Sequence, residues 1–200
     1  MKVNKELWPY LKVLIFGFII YGFSYGYNSY LKTPNLLNKG MADTSIILIG
    51  LSMWLSSLAY FFNLFDSKIM YRKQLGLIGF AFALVHVALS FSALRVAPAP
   101  VTGLFATGIF SIMALISSRS AMVRIGVQKW RRILRAGYIA MLFVAAHVVL
   151  LKSARWMTWY NGGMKTLPSL SLLETIFIAV VIVMRLLMWL RIRLANKNRF

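Results

Sequence analysis

The sequence predicts an all-α membrane protein, a six-transmembrane-helix bundle with both termini cytoplasmic. Three observations predict it. Apolar residues make up 60% of the 200 positions, more than a soluble domain of that length needs for its core. Several apolar runs reach the roughly 20 residues that cross a hydrocarbon layer. Lys and Arg cluster between alternate runs, as a topology signal requires. The spans use nearly the whole chain, so residues 1–200 are read as one domain with no separate soluble catalytic part.

The first span covers about 11–27. No small-residue cleavage site closes its apolar run, so it reads as an uncleaved anchor. The second covers about 44–64, with Asp43 as its N-terminal cap. The third covers about 74–94 and stops before Ala97-Pro98-Ala99-Pro100, which cannot continue a helix. A short fourth span follows at about 101–118, a fifth at about 133–151, and a sixth at about 170–190 after Gly162, Gly163 and Pro168. No internal sequence repeat is visible, so the even spacing reflects membrane thickness.

Charge orients these spans. The chain has 23 Lys and Arg against 4 acids, a formal charge of +19. In a soluble protein that balance would suggest nucleic acid. Here the cations flank apolar runs, which suits orientation and anionic lipid headgroups instead, with no nucleic-acid partner. One side holds the N-terminus, the 66–73 loop, the 119–135 segment and the C-terminal tail. The other holds only Lys32, Lys39, Arg95, Lys152, Arg155 and Lys165. The richer side is cytoplasmic by the positive-inside rule. Trp156, Trp159 and Tyr160 suit an aromatic belt at the opposite face.

Composition also removes chemistries. The chain has no cysteine, which excludes disulfides, thiol catalysis and iron–sulfur clusters. Its acids are Glu6, Asp43, Asp66 and Glu174, too few for a paired-carboxylate hydrolase or a carboxylate-bound metal. The same scarcity argues against a proton- or sodium-coupled transporter.

Two histidines remain, His86 and His147, each deep in an apolar run where an ionisable group is expensive. Arg72 and Lys73 precede His86 by 14 and 13 residues, and Arg131 and Arg132 precede His147 by 16 and 15. At about 1.5 Å per residue, both rings lie roughly 20–24 Å beyond those clusters. Spans three and five both run outward, so the rings reach one depth, past the midplane. Two imidazoles so placed can hold one haem iron from both sides, which leaves no open position on the metal and suits single-electron transfer.

Small residues accompany both histidines: Gly76, Gly79, Ala83, Ser90 and Ala93 in span three, and Gly137, Ala140 and Val144 in span five. Such stripes give clearance to a flat macrocycle, or let helices pack directly. A membrane histidine can equally serve as a hydrogen-bonding group between helices. Arg95, Lys152 and Arg155 are placed to pair with haem propionates or with lipid headgroups. Arg185, inside span six, reads as snorkelling to the inner interface, the other reading being a cofactor phosphate or quinone. The 119–135 segment carries six basic residues and Trp130, and reads as topology or as a docking surface.

Residues 72–91, RKQLGLIGFAFALVHVALSF, and 130–153, WRRILRAGYIAMLFVAAHVVLLKS, resemble the ferric reductase-like transmembrane domain family. The likeness is closest to its short bacterial members, the haem-binding membrane subunits of the periplasmic methionine sulfoxide reductase system. It rests on Arg72-Lys73, Leu75-Gly76, Phe80–Phe82 and His86, and on Trp130, Arg132, Tyr138 and His147. It covers about the middle half of the chain.

The resemblance implies a multi-pass b-type cytochrome of the bacterial inner membrane. One haem b would be ligated by His86 and His147, with Arg95 and Arg155 as cofactor-binding residues. A periplasmic oxidoreductase would be the acceptor, and a cytoplasmic flavin reductase or the quinone pool the donor. A bound flavin or quinone is a further implied cofactor. Such a chain is an electron-transfer subunit rather than a complete enzyme. Three departures narrow this, one being that no histidine stands just beyond span five. Leu134 stands where the family usually carries a further histidine, and Pro98-Ala99-Pro100 occupies the region of another, so a two-haem path is not implied. The competing readings are a non-redox six-helix transporter or assembly factor with structural histidines, and a direct metal-ion reductase.

Overall fold

In hydrocarbon the backbone finds no water, so an apolar run satisfies its amides within its own helix. The structure, a computed structural model, describes residues 7–91 and 97–197. These form helices α1 (Trp8–Tyr30), α2 (Leu36–Phe61), α3 (Arg72–Ser90), α4 (Pro98–Leu115), α5 (Arg119–Ile125), α6 (Val127–Asn161) and α7 (Leu170–Lys197), with a 3-10 segment at Asn63–Tyr71. Six of them are long and apolar enough to span a membrane: α1, α2, α3, α4, α6 and α7. The expected six-helix bundle is therefore the observed one. Large apolar side chains cover its outside, including Ile19, Phe23 and Leu115. In water such a surface would aggregate; against lipid tails it is the solvated face.

Element boundaries differ where local chemistry outweighs hydropathy. Span two begins at Leu36, eight residues before the expected start. Asn35 makes the entry in the left-handed conformation, at φ 55°, which Asn tolerates better than most residues. Asp43 is consequently not a cap. It lies two turns inside α2, fully buried. Pro98 opens α4 in the first turn, where its missing N–H costs nothing. The end of the third span, residues 92–96, lies outside the described residues. Helix α6 has 35 residues, about 52 Å at 1.5 Å per residue, so it overruns a hydrocarbon layer of roughly 30 Å.

Helix α2 is the central element, packed against α1 and α3 in one cluster and against α7, with a small contact to α6, in another. Val13, Leu48, Leu55, Leu75 and Phe82 form the first interface. Ile49, Met53, Phe110, Met141 and Ile178 belong to the second, which also takes in α4. Close approach depends on missing side chains. A Cβ on Gly79 would lie 2.9 Å from Leu48 Cβ and 3.0 Å from the Ile49 backbone nitrogen. Those atoms move only if α2 moves. We therefore expect Gly79→Ala to cost about 1–3 kcal/mol in detergent unfolding. Gly108→Ala, where a Cβ meets nothing within 4 Å, should be neutral. Equal stability of the two variants would refute the tight α2–α3 contact.

The small-residue stripe on α3 has the same explanation. Gly79 faces α2, a Cβ on Gly76 would lie 3.1 Å from Ser52 Oγ of α2, and one on Gly137 of α6 would meet Met113 and Met53. These residues serve direct helix packing rather than clearance for a macrocycle.

Candidate functional site

Both histidines are half-buried and both are oriented through Nδ1. His86 Nδ1 lies 2.7 Å from Asn38 Oδ1, and the Asn38 amide donates to Ser90 Oγ at 2.8 Å. That second bond leaves Oδ1 as the acceptor, so His86 donates from Nδ1. His147 Nδ1 lies 2.6 Å from the Ala99 carbonyl oxygen, a group that only accepts. In the neutral imidazole, each ring would therefore carry its proton on Nδ1 and present Nε2 as the lone pair. A ligating imidazole is normally arranged in this way, its outer N–H fixed by a carbonyl or amide. Gly103 makes the second pose possible, since a Cβ there would lie 2.9 Å from His147 Nδ1.

The two rings lie within electrostatic range of one another. Among the described residues, helices α3 and α6 share no extensive packed interface. Lys152 lies within electrostatic reach of Lys39 and Arg155, which gathers cationic charge at this end of the bundle. Arg155 is exposed, with no described carboxylate against it. Arg95 lies outside the described residues.

Two features escaped the sequence reading. Asn38 and the Ala99 carbonyl are second partners that no spacing rule marks. The other is a buried polar cluster between α1, α2 and α7. Asp43 accepts from Ser24 Oγ at 2.6 Å and from Asn28 Nδ2 at 2.7 Å, and it pairs with Lys39. Glu174 of α7 is only 3% exposed. Its Oε2 stands 4.0 Å from Lys39 Nζ, and neither carboxyl oxygen has a hydrogen-bond partner. An ionised carboxylate left so costs several kcal/mol, and Lys39 is the one described cation within 4.0 Å to offset it. Half of the chain's acids thus meet inside the spans. The signal was present: an ionisable residue within an apolar run is a functional candidate by default.

A cavity of about 480 Å³ opens at the other end, among α2, α3, α4, α6 and α7. Leu134, Tyr138 and Arg185 line it, together with Arg72 and Lys73. Neither histidine does. His86 stands six residues beyond the lining residue Phe80, roughly 9 Å further along α3.

No protein-family model matches the chain, and no curated protein matches it. The ferric reductase-like resemblance therefore rests on the two histidine-bearing segments.

Proposed function

We propose that this chain is a b-type cytochrome membrane subunit that carries single electrons across the membrane, using one haem b ligated by His86 and His147. One observation carries this reading: two imidazoles within electrostatic range of one another, each with Nδ1 held by an acceptor, so that Nε2 is the nitrogen free to ligate. The donor set fits a bis-histidine haem, whose contribution when bound is a one-electron iron couple with no open coordination position. The protein's part is to fix both tautomers, through Asn38 and Ala99, and to bring cations close. Lys152 and Arg155 are the proposed propionate partners, with Arg95 the expected third.

The richer cationic end, with both termini, is the proposed cytoplasmic side of a bacterial inner membrane. The histidines then lie toward the outer face, which suits a periplasmic oxidoreductase acceptor. The donor is a cytoplasmic flavin reductase or the quinone pool, with a flavin or quinone as intermediate carrier. Purified protein reconstituted with haem should give a low-spin b-type difference spectrum, and the absence of any Soret band would sink the reading. Reduction of ferric ions by the purified subunit alone would move the assignment to a direct metal-ion reductase.

A second reading has one observation in its favour. The buried Asp43, Glu174 and Lys39 cluster is the kind of intramembrane group that proton-coupled transporters use. It weakens the sequence argument from scarce carboxylates. Proton uptake by proteoliposomes that bind no haem would favour it.

Orientation of His86 gives a graded test of the first reading. Asn38→Leu removes the acceptor at Nδ1 but leaves Nε2 in place. Loss of such an outer partner typically weakens a metal site about 10–100-fold. We expect a low-spin spectrum that persists with weaker haem retention and a shifted midpoint potential. Retention and potential identical to wild type would show that Asn38 does not support a ligand.

A further inference from the structure

Cations without a counter-charge are the most informative feature away from the histidines. Arg72, Lys73, Arg131, Arg135 and Arg185 all line the cavity at the basic end. Among the described residues, no carboxylate lies within 4.0 Å of any of them. Two are held in place. Arg72 Nε donates to the Ser52 carbonyl at 3.0 Å, and Ser52 Oγ returns a bond to the Arg72 carbonyl at 2.7 Å. The Arg185 guanidinium sits over the Tyr138 ring, 5.2 Å from its centroid. Both guanidiniums are half-buried, and they are close enough to repel one another. Two fixed like charges facing one cavity repel, and an anion between them would relieve that repulsion through charge-assisted hydrogen bonds. Behind them the wall is apolar, with Met53, Leu77, Phe80 and Met113.

We propose that this cavity binds one anionic phospholipid, its phosphate between Arg72 and Arg185 and its first chain segments along the apolar wall. The inference does not depend on the haem reading. A phosphate on a soluble ring compound, such as flavin mononucleotide, shares the anionic chemistry, but its ring needs hydrogen-bond partners inside the pocket. The lining hydroxyls already donate elsewhere: Ser52 to Arg72 O, Ser117 to Ala114 O and Tyr138 to Met53 O. A quinone, being uncharged, would leave the cations unanswered. A phospholipid needs only what is present, a cationic mouth at the membrane interface and an apolar floor.

The full chain, purified in neutral detergent, tests this by native mass spectrometry. Dioleoylphosphatidylglycerol, dioleoylphosphatidylcholine, flavin mononucleotide and inorganic phosphate are titrated separately. We expect one saturable phosphatidylglycerol per chain, bound at least about tenfold more tightly than the zwitterionic lipid, because cations near the surface discriminate by headgroup charge. The Arg72→Gln/Arg185→Gln double variant should lose that preference. Leu134→Trp fills the cavity while keeping every cation, and should lose the bound lipid with its helical circular dichroism intact. It decides the matter if the double variant fails to fold. Equal affinity for the two lipids overturns the proposal, and so does full phosphatidylglycerol binding by Leu134→Trp. Tighter binding of flavin mononucleotide or phosphate than of the phospholipid overturns it in favour of a soluble phosphate ligand.

Discussion

His147→Ala is expected to erase the whole low-spin haem spectrum, and His86→Ala is expected to do the same. The equality of the two effects is the sharp part. If the rings share one iron, each substitution removes one of two axial ligands, and about one haem per chain falls to none in the six-coordinate form. If each ring serves a separate site, each variant keeps part of the signal. If both are structural, neither variant changes a spectrum at all. His147 sits against Gly103 and bonds the Ala99 carbonyl, so its removal leaves a ring-sized space with an acceptor at one edge. Imidazole added to His147→Ala should enter that space, bond Ala99 and restore the low-spin bands. Rescue of this kind separates loss of a ligand from loss of the fold. A normal low-spin spectrum in His86→Ala would end the shared-ligand assignment.

What the sequence made legible follows from how strong each local signal is. A run of 20 apolar residues has one stable form in lipid, so the six spans and their order could be read directly. Boundaries were harder. Hydropathy places the start of the second span after Asp43 because a charged residue lowers the local average. Helix α2 nevertheless carries Lys39 and Asp43 inward, since they are four residues apart on one face and neutralise each other. The same compensation hid the polar cluster, because its third member, Glu174, arrives from the far end of the chain. His86 and His147 stood out for the opposite reason: no local partner explains them. Their partners, Asn38 and Ala99, lie 48 residues away in each case, a separation no pattern rule reaches. The small-residue stripes were ambiguous between cofactor clearance and helix packing, and only the approach of α2 to Gly79 and Gly76 decides for packing.

Asp43→Ala is expected to be the most destabilising single substitution in the polar cluster, by about 3–5 kcal/mol, the usual cost of breaking a buried ion pair from one side. Three groups lose their acceptor at once: Ser24 Oγ, Asn28 Nδ2 and Lys39 Nζ. Interhelical hydrogen bonds in membranes are individually modest, averaging about 0.6 kcal/mol, so the Lys39 ammonium, which loses its nearer carboxylate, decides the size. Glu174→Gln should behave differently. Its oxygens have no hydrogen-bond partner to lose, so a change within about 0.5 kcal/mol is expected. The double variant then reports on coupling. With Asp43 gone, Glu174 is the one described carboxylate within 4.0 Å of Lys39, and it is left to offset part of that charge. Removing both acids should therefore cost more than the two single changes added together. Unfolding in detergent, followed by circular dichroism, measures all three, and strict additivity would show that Glu174 plays no part in holding Lys39. The cluster also reaches the candidate site, because Lys39 adjoins Asn38, which orients His86. Asp43→Ala should loosen that first turn of α2 and weaken haem retention, whereas Glu174→Gln should leave both untouched.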